Sequence, residues 1–149
     1  MGGAPEGGVG GGRSRSPAVI GADTSVLVRY LVGTPGAQAR RAAALIDGSD
    51  EIGVSPVALA ECADVLRTQY GVESRDIIDS LIGLVQRENV RVLGLRTDVL
   101  LGVLVRARQL PGRPIPDALI VATSVEADAL PLATFDPDQR RYGVPVRDP

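Results

Sequence analysis

The chain has no lysine and no histidine, and each absence removes a kind of chemistry. Without histidine it lacks the commonest neutral-pH general base and the commonest metal ligand. Without lysine it lacks Schiff-base catalysis and the lysine of a phosphate loop. The lone cysteine, Cys62, excludes a disulfide framework and a cysteine-built zinc site. Aromatics make up 3% of the residues, with no Trp and one Phe, although 44% of the chain is hydrophobic. The core must then be Val, Leu, Ile and Ala, which suits packed helices and buried parallel strands better than an antiparallel sandwich. No apolar run is long enough to cross a membrane, and a reducing cytoplasm is the expected location.

What remains for catalysis is carboxylates, hydroxyls, one thiol, arginine or a metal ion. Carboxylates call for hard cations such as magnesium or manganese. The net charge of −2 and pI of about 5.1 argue against indiscriminate nucleic-acid binding through bulk charge. They leave room for a local arginine-rich face beside an acidic pocket.

A chain of 149 residues suits one domain. Residues 1–17 are Gly-rich and without periodicity, and read as a disordered tail. They are not a phosphate loop, because they precede the first strand and no Lys is present; nor is there an apolar stretch for a secretory signal. The ordered domain, 18–149, alternates short apolar runs with helical patterns. Strands are expected at 18–22, 51–54, 90–95, 130–134 and 144–146, the last at a sheet edge because of Pro145. Helices are expected at 24–31, 37–47, 55–70, 74–87, 97–109 and 116–127, the last preceded by a rigid PGRPIP turn. This alternation predicts an α/β fold with a mostly parallel sheet, helices on both faces, and a cleft beyond the carboxyl ends of the strands.

Acidic residues recur at that end. Asp23 follows the first strand, where it is either a helix cap or a cleft carboxylate, with Thr24 and Ser25 as hydroxyls beside it. Asp136 follows the fourth strand; it is a turn residue before Pro137 or a second cleft acid, and Asp138 reads as a solvated turn or helix start that could also join the cluster. Glu61 falls on or beside the apolar stripe of its helix, where an unpaired carboxylate is costly unless it snorkels or pairs with an arginine. Asp64, one turn on, reads as the solvated edge. Asp117 opens an apolar helix whose dipole favours a negative charge, and the helix itself should be buried all round. Each residue has a plain structural explanation. Four carboxylates near one cleft with no Lys or His would repel one another unless cations bind, which points to metal-assisted phosphodiester hydrolysis.

Three segments, IGADTSVLVRYL, SPVALAECADVL and PIPDALIVATSVEADALPLATFD, resemble the PIN-domain nucleases, specifically the VapC-type toxins of bacterial toxin–antitoxin pairs. The Gly-rich start departs from that pattern. The resemblance implies a three-layer α/β/α fold around a short parallel sheet and a Mg2+- or Mn2+-dependent endoribonuclease. It assigns the catalytic, metal-holding carboxylates to Asp23, Glu61, Asp117 and Asp136. Thr134 becomes a polar supporting residue, and Thr24 and Ser25 match the family's hydroxyl positions. It further implies a homodimer, a VapB-like antitoxin that blocks the cleft, and tRNA or rRNA as substrate. Arg29, Arg113, Arg140 and Arg141 border the cleft and are candidate RNA contacts, although each could be an ordinary surface arginine.

A haloacid-dehalogenase-type phosphatase would need an Asp at position 25, where Ser stands; a phosphate-receiver domain would need a Lys; and a dinucleotide-binding glycine motif is missing. The serious alternative is a catalytically silent PIN-like module that binds RNA or protein. Retention of all four carboxylates speaks against it.

Overall fold

A computed structural model describes residues 18–149; the tail expected at 1–17 lies outside the described residues. The order is β1 (Val19–Ala22), α1 (Thr24–Val32), α2 (Gly36–Ile46), β2 (Glu51–Val54), α3 (Pro56–Tyr70), α4 (Ser74–Val85), β3 (Val90–Val92), α5 (Thr97–Ala107), α6 (Pro114–Glu126), β4 (Leu132–Ala133), a 3-10 helix (Pro137–Tyr142) and β5 (Val146–Arg147). This is the expected α/β fold with a short parallel sheet, of the three-layer α/β/α type.

The strands β1, β2 and β3 pair in that order, all parallel, with Ile20 opposite Ile52 opposite Val90 and Ala22 opposite Val54 opposite Val92. A helix pair connects each strand to the next, as parallel pairing requires. Because side chains alternate along a strand, Ala22, Ile52, Val54, Val90 and Val92 share one face, and all five are buried. Leu27 of α1, Leu59 of α3, Ile78 and Leu81 of α4 and Leu104 of α5 complete that core. Burial of each such Leu or Ile contributes about 1.5–3 kcal/mol, so the apolar stripes rather than helix propensity hold the layers together. On the opposite face a side chain at Gly53 would meet Leu93 at 2.9 Å and Val19 at 3.1 Å, so glycine lets those two side chains close over the strand.

The helix that carries Glu61 is the best specified. Ser55 caps α3 by accepting from the Ala58 N–H at 3.0 Å, Pro56 starts it, and Gly71 ends it at φ +63, a left-handed conformation that glycine adopts without strain.

Several expectations need correction. The PIP segment is not a lead-in turn: α6 begins at Pro114, because the first helical turn needs no backbone N–H donors and tolerates both prolines. That helix is not buried all round, since Ile120 is 51% exposed. The third strand stops at Val92, and the fourth and fifth shrink to two residues each. These last two form their own parallel pair instead of extending the main sheet.

Candidate active site

Asp23 sits where β1 ends and α1 begins, and it is the cap of α1. Its Oδ1 accepts from the Ser25 N–H at 3.0 Å, the Val26 N–H at 3.3 Å and the Ser25 hydroxyl at 2.7 Å. The Ser25 hydroxyl, followed by the Val26 N–H, holds the carboxyl below its ordinary pKa of 3.8, so Asp23 is ionised at neutral pH. All three bonds go to one oxygen, which leaves Oδ2 outside the cap. The capping and cleft readings of Asp23 are therefore compatible.

The adjacent Thr24 hydroxyl donates to Glu61 Oε2 at 3.0 Å. That bond ties α1 to α3 and brings Asp23 and Glu61 onto one cavity of about 450 Å³, also lined by Ser25, Arg29 and Gln69. Glu61 is exposed and partnered by a hydroxyl, not by the arginine that a boundary glutamate often takes.

Asp117 and Asp136 lie on a second cavity. It is smaller, about 120 Å³, and they line it together with Asp138, Gln139, Arg113 and Tyr142. Asp136 caps the 3-10 helix by accepting from the Asp138 N–H at 2.9 Å, and its own N–H donates to Thr134 Oγ1 at 2.9 Å. Thr134 thus steadies the turn that presents Asp136. Asp117 is half-buried in the first turn of α6. The start of that helix is anchored by the Tyr142 hydroxyl, which donates to the Pro114 carbonyl at 2.7 Å. Burial first, and the Asp117 charge second, push the Tyr142 hydroxyl above its ordinary pKa.

Of the four predicted acids, Asp23 and Glu61 thus line one cavity and Asp117 and Asp136 another. Among the described residues no three His, Cys, Asp or Glu side chains converge closely enough to hold a metal ion. Between the pairs runs a short bridge. Asp64, one turn beyond Glu61, binds Arg113 at 2.8 Å and Arg67 at 2.8 Å, and Arg113 lies just before the Asp117 turn. Arg67 foremost, with Arg113, holds Asp64 below the usual aspartate pKa.

The donor chemistry suits a hard divalent cation. Both cavities offer carboxylate and hydroxyl oxygens, with no thiolate or imidazole. At the second, Gln139 is 7% exposed and its side-chain oxygen has no hydrogen-bond partner, an orphaned polar atom beside Asp117, Asp136 and Asp138. Asp117 and Asp136, with Gln139 beside them, and Asp23 with Glu61 are the residues that would hold the ions.

Of the four candidate arginines, Arg29 lines the first cavity but donates to Gln38 at 2.7 Å and Tyr70 at 3.1 Å. Arg113 is paired with Asp64, Arg141 lies 3.6 Å from Asp138, and Arg140 is exposed. Sequence reasoning gave no role to Gln139 or Tyr142. The six residues from Pro137 lack helical periodicity, so nothing in them signalled a 3-10 helix that turns both inward. Cys62 is fully buried, and burial pushes its thiol up to about 12, which removes it as a nucleophile.

An α/β sandwich with carboxylates just beyond the carboxyl ends of β1 and β4 has the build of a nuclease-type fold. A PIN domain family model matches residues 21–145, from the middle of β1 to the residue before β5, and the chain belongs to the PIN domain family. Such domains typically bind divalent metals. No curated protein and no solved structure gives a significant match.

Proposed function

We propose that the chain is a divalent-cation-dependent endoribonuclease of the VapC type. The observation that carries this reading is the Thr24–Glu61 hydrogen bond. It delivers the α3 glutamate beside an ionised aspartate at the end of β1, within a PIN domain. The second acidic pair, on α6 and after β4, supplies the other half of the carboxylate set.

When bound, magnesium or manganese supplies Lewis acidity toward a phosphodiester and offsets the carboxylate charge. The chain's own residues do the positioning. Ser25 fixes the Asp23 carboxylate, and Thr24 orients Glu61. Thr134 and Tyr142 hold the turns that carry Asp136 and Asp117. On this reading the substrate is tRNA or rRNA, the chain is a homodimer, and a VapB-like antitoxin silences it.

A second reading is favoured by one observation, the division of the acids into two pairs. It makes the chain a catalytically silent module that binds RNA or protein. Sequencing RNA ends after controlled expression separates the two. A hydrolase produces new ends at defined positions with the wild type and none with Asp23→Asn. A silent module produces the same ends with both.

A further inference from the structure

From Thr24 to Ile46, the helices α1 and α2 and their connection carry Arg29, Arg40 and Arg41 and not one Asp or Glu, in a chain whose net charge is −2. Among the described residues none of the three arginines forms an ion pair. Asp23 and Asp47 border the segment, but Asp47 is paired with Arg87 and Asp23 lies on the adjoining acidic cavity, so within the segment the three arginines meet no acid of its own. The two helices pack together, and between them lies a groove of about 510 Å³ lined by Ser25, Val26, Arg29, Gln38, Arg41 and Leu45. Ser25 and Arg29 also line the cavity of Asp23 and Glu61, so the basic groove opens into the acidic site.

We infer that this groove holds the single-stranded polynucleotide on one side of the bond to be cut, with Arg41 as a phosphate contact. The inference rests on the hydrolase reading and adds the path of the strand. Arg29 is braced by Gln38 and Tyr70, neither of which neutralises it, so its charge stays fixed at the junction of groove and acidic site. Arg41 is exposed on the wall of the groove, free to meet a phosphate. Val26, Ala42 and Leu45 give the groove an apolar component against which a ribose or an unstacked base can lie. An acidic peptide would satisfy the arginines. A nucleic-acid strand is favoured because the groove runs into carboxylates suited, with a cation, to phosphodiester hydrolysis, and because its apolar wall offers a surface for riboses and bases between the phosphates.

The test is fluorescence anisotropy with a short labelled single-stranded RNA of mixed sequence, on full-length protein in chelator so that no strand is cut. Each phosphate contact to a single strand contributes about 0.7 to the log–log salt slope, so Arg41→Ala should lower the slope by about 0.7 and weaken binding about fivefold near 0.1 M salt. Arg41→Lys, which keeps the charge, should retain the slope, and Arg91→Ala, on β3 beside Gly53 and paired with Glu51 at 3.3 Å, should bind as the wild type does. Wild-type affinity and slope in Arg41→Ala would overturn the inference. So would displacement of the RNA by polyglutamate as readily as by unlabelled RNA, which would make the groove an acidic-protein site. Cleavage of RNA in magnesium, measured on the same samples, keeps the two readings apart. Cleavage without any Arg41 effect removes the groove assignment alone. An Arg41 effect without cleavage removes the hydrolase reading alone.

Discussion

The carboxylates differ in how much of their bonding capacity the protein already uses. Asp23 commits one oxygen to three donors, Asp136 accepts one backbone N–H, and Glu61 accepts one hydroxyl. Asp23 thus remains ionised without a cation, and it links stability to pH. Its folded pKa lies below 3.8, so the stabilisation is present above that value and is lost as pH falls below it. Asp23→Asn keeps the cap, because Asn serves about as well as Asp. The variant should match the wild type in melting temperature at neutral pH and fall less steeply in acid. An equal acid slope in both proteins would show that the Ser25 and Val26 bonds are not formed in solution. Cys62 gives the opposite sign. Its thiol is raised from 9.0 to about 12, so its contribution is complete below pH 9 and drains away as pH rises toward 12. A thiol reagent at pH 8 should label native protein only at the rate of unfolding, and Cys62→Ala should leave cleavage intact. Rapid labelling of the native fold would contradict the burial.

Among the elements, α3 was legible because its signals are local: Ser55 and Pro56 at one end and Gly71 at the other. Removing the cap should show its worth. Ser55→Ala is expected to cost about 1 kcal/mol in chemical denaturation, and no loss would mean that the Ala58 N–H finds another acceptor. Likewise Tyr142→Phe should cost about 1 kcal/mol by removing the hydroxyl bond that ties the 3-10 helix to the Pro114 carbonyl, while also freeing the first turn under Asp117. A change in cation affinity with that variant, read by the magnesium-induced shift in melting temperature, would follow from the anchoring role. An unchanged shift would confine Tyr142 to stability. The elements that escaped sequence reading are those set by long-range pairing. Leu130–Thr134 has the composition of a full strand, but only Leu132 and Ala133 find a partner, in β5. Likewise the sequence placed each acid at the end of an element without specifying which acids share a cavity. That depends on how α3 lies against α1 and how α6 meets the 3-10 helix.

For the whole molecule, one segment departs from an otherwise mixed distribution of charge. The candidate acids face the ends of β1 and β4 with Arg29, Arg113 and Arg141 among them, the α1–α2 hairpin carries arginines and no acid, and the total stays near neutral. No described helix is long and apolar enough to cross a membrane. If the chain is a VapC-type toxin, light scattering should give twice the 15.5 kDa chain mass, and expression in the native host should arrest growth unless a small partner encoded beside it is co-expressed. Unimpaired growth would remove the toxin reading and leave the PIN fold untouched. The central claim, that these carboxylates hold the cation that makes the protein an RNA hydrolase, is tested most directly by one assay. Purified wild type and Asp23→Asn are compared on RNA in magnesium, in excess chelator, and after magnesium is restored. Loss of a residue that merely supports a metal ligand typically costs 10–100-fold, so loss of the ligand itself should cost at least about 100-fold. The account predicts wild-type cleavage that stops in chelator and resumes with magnesium, and Asp23→Asn slower by that factor throughout. Cleavage undiminished by chelator, or by Asp23→Asn, would contradict it.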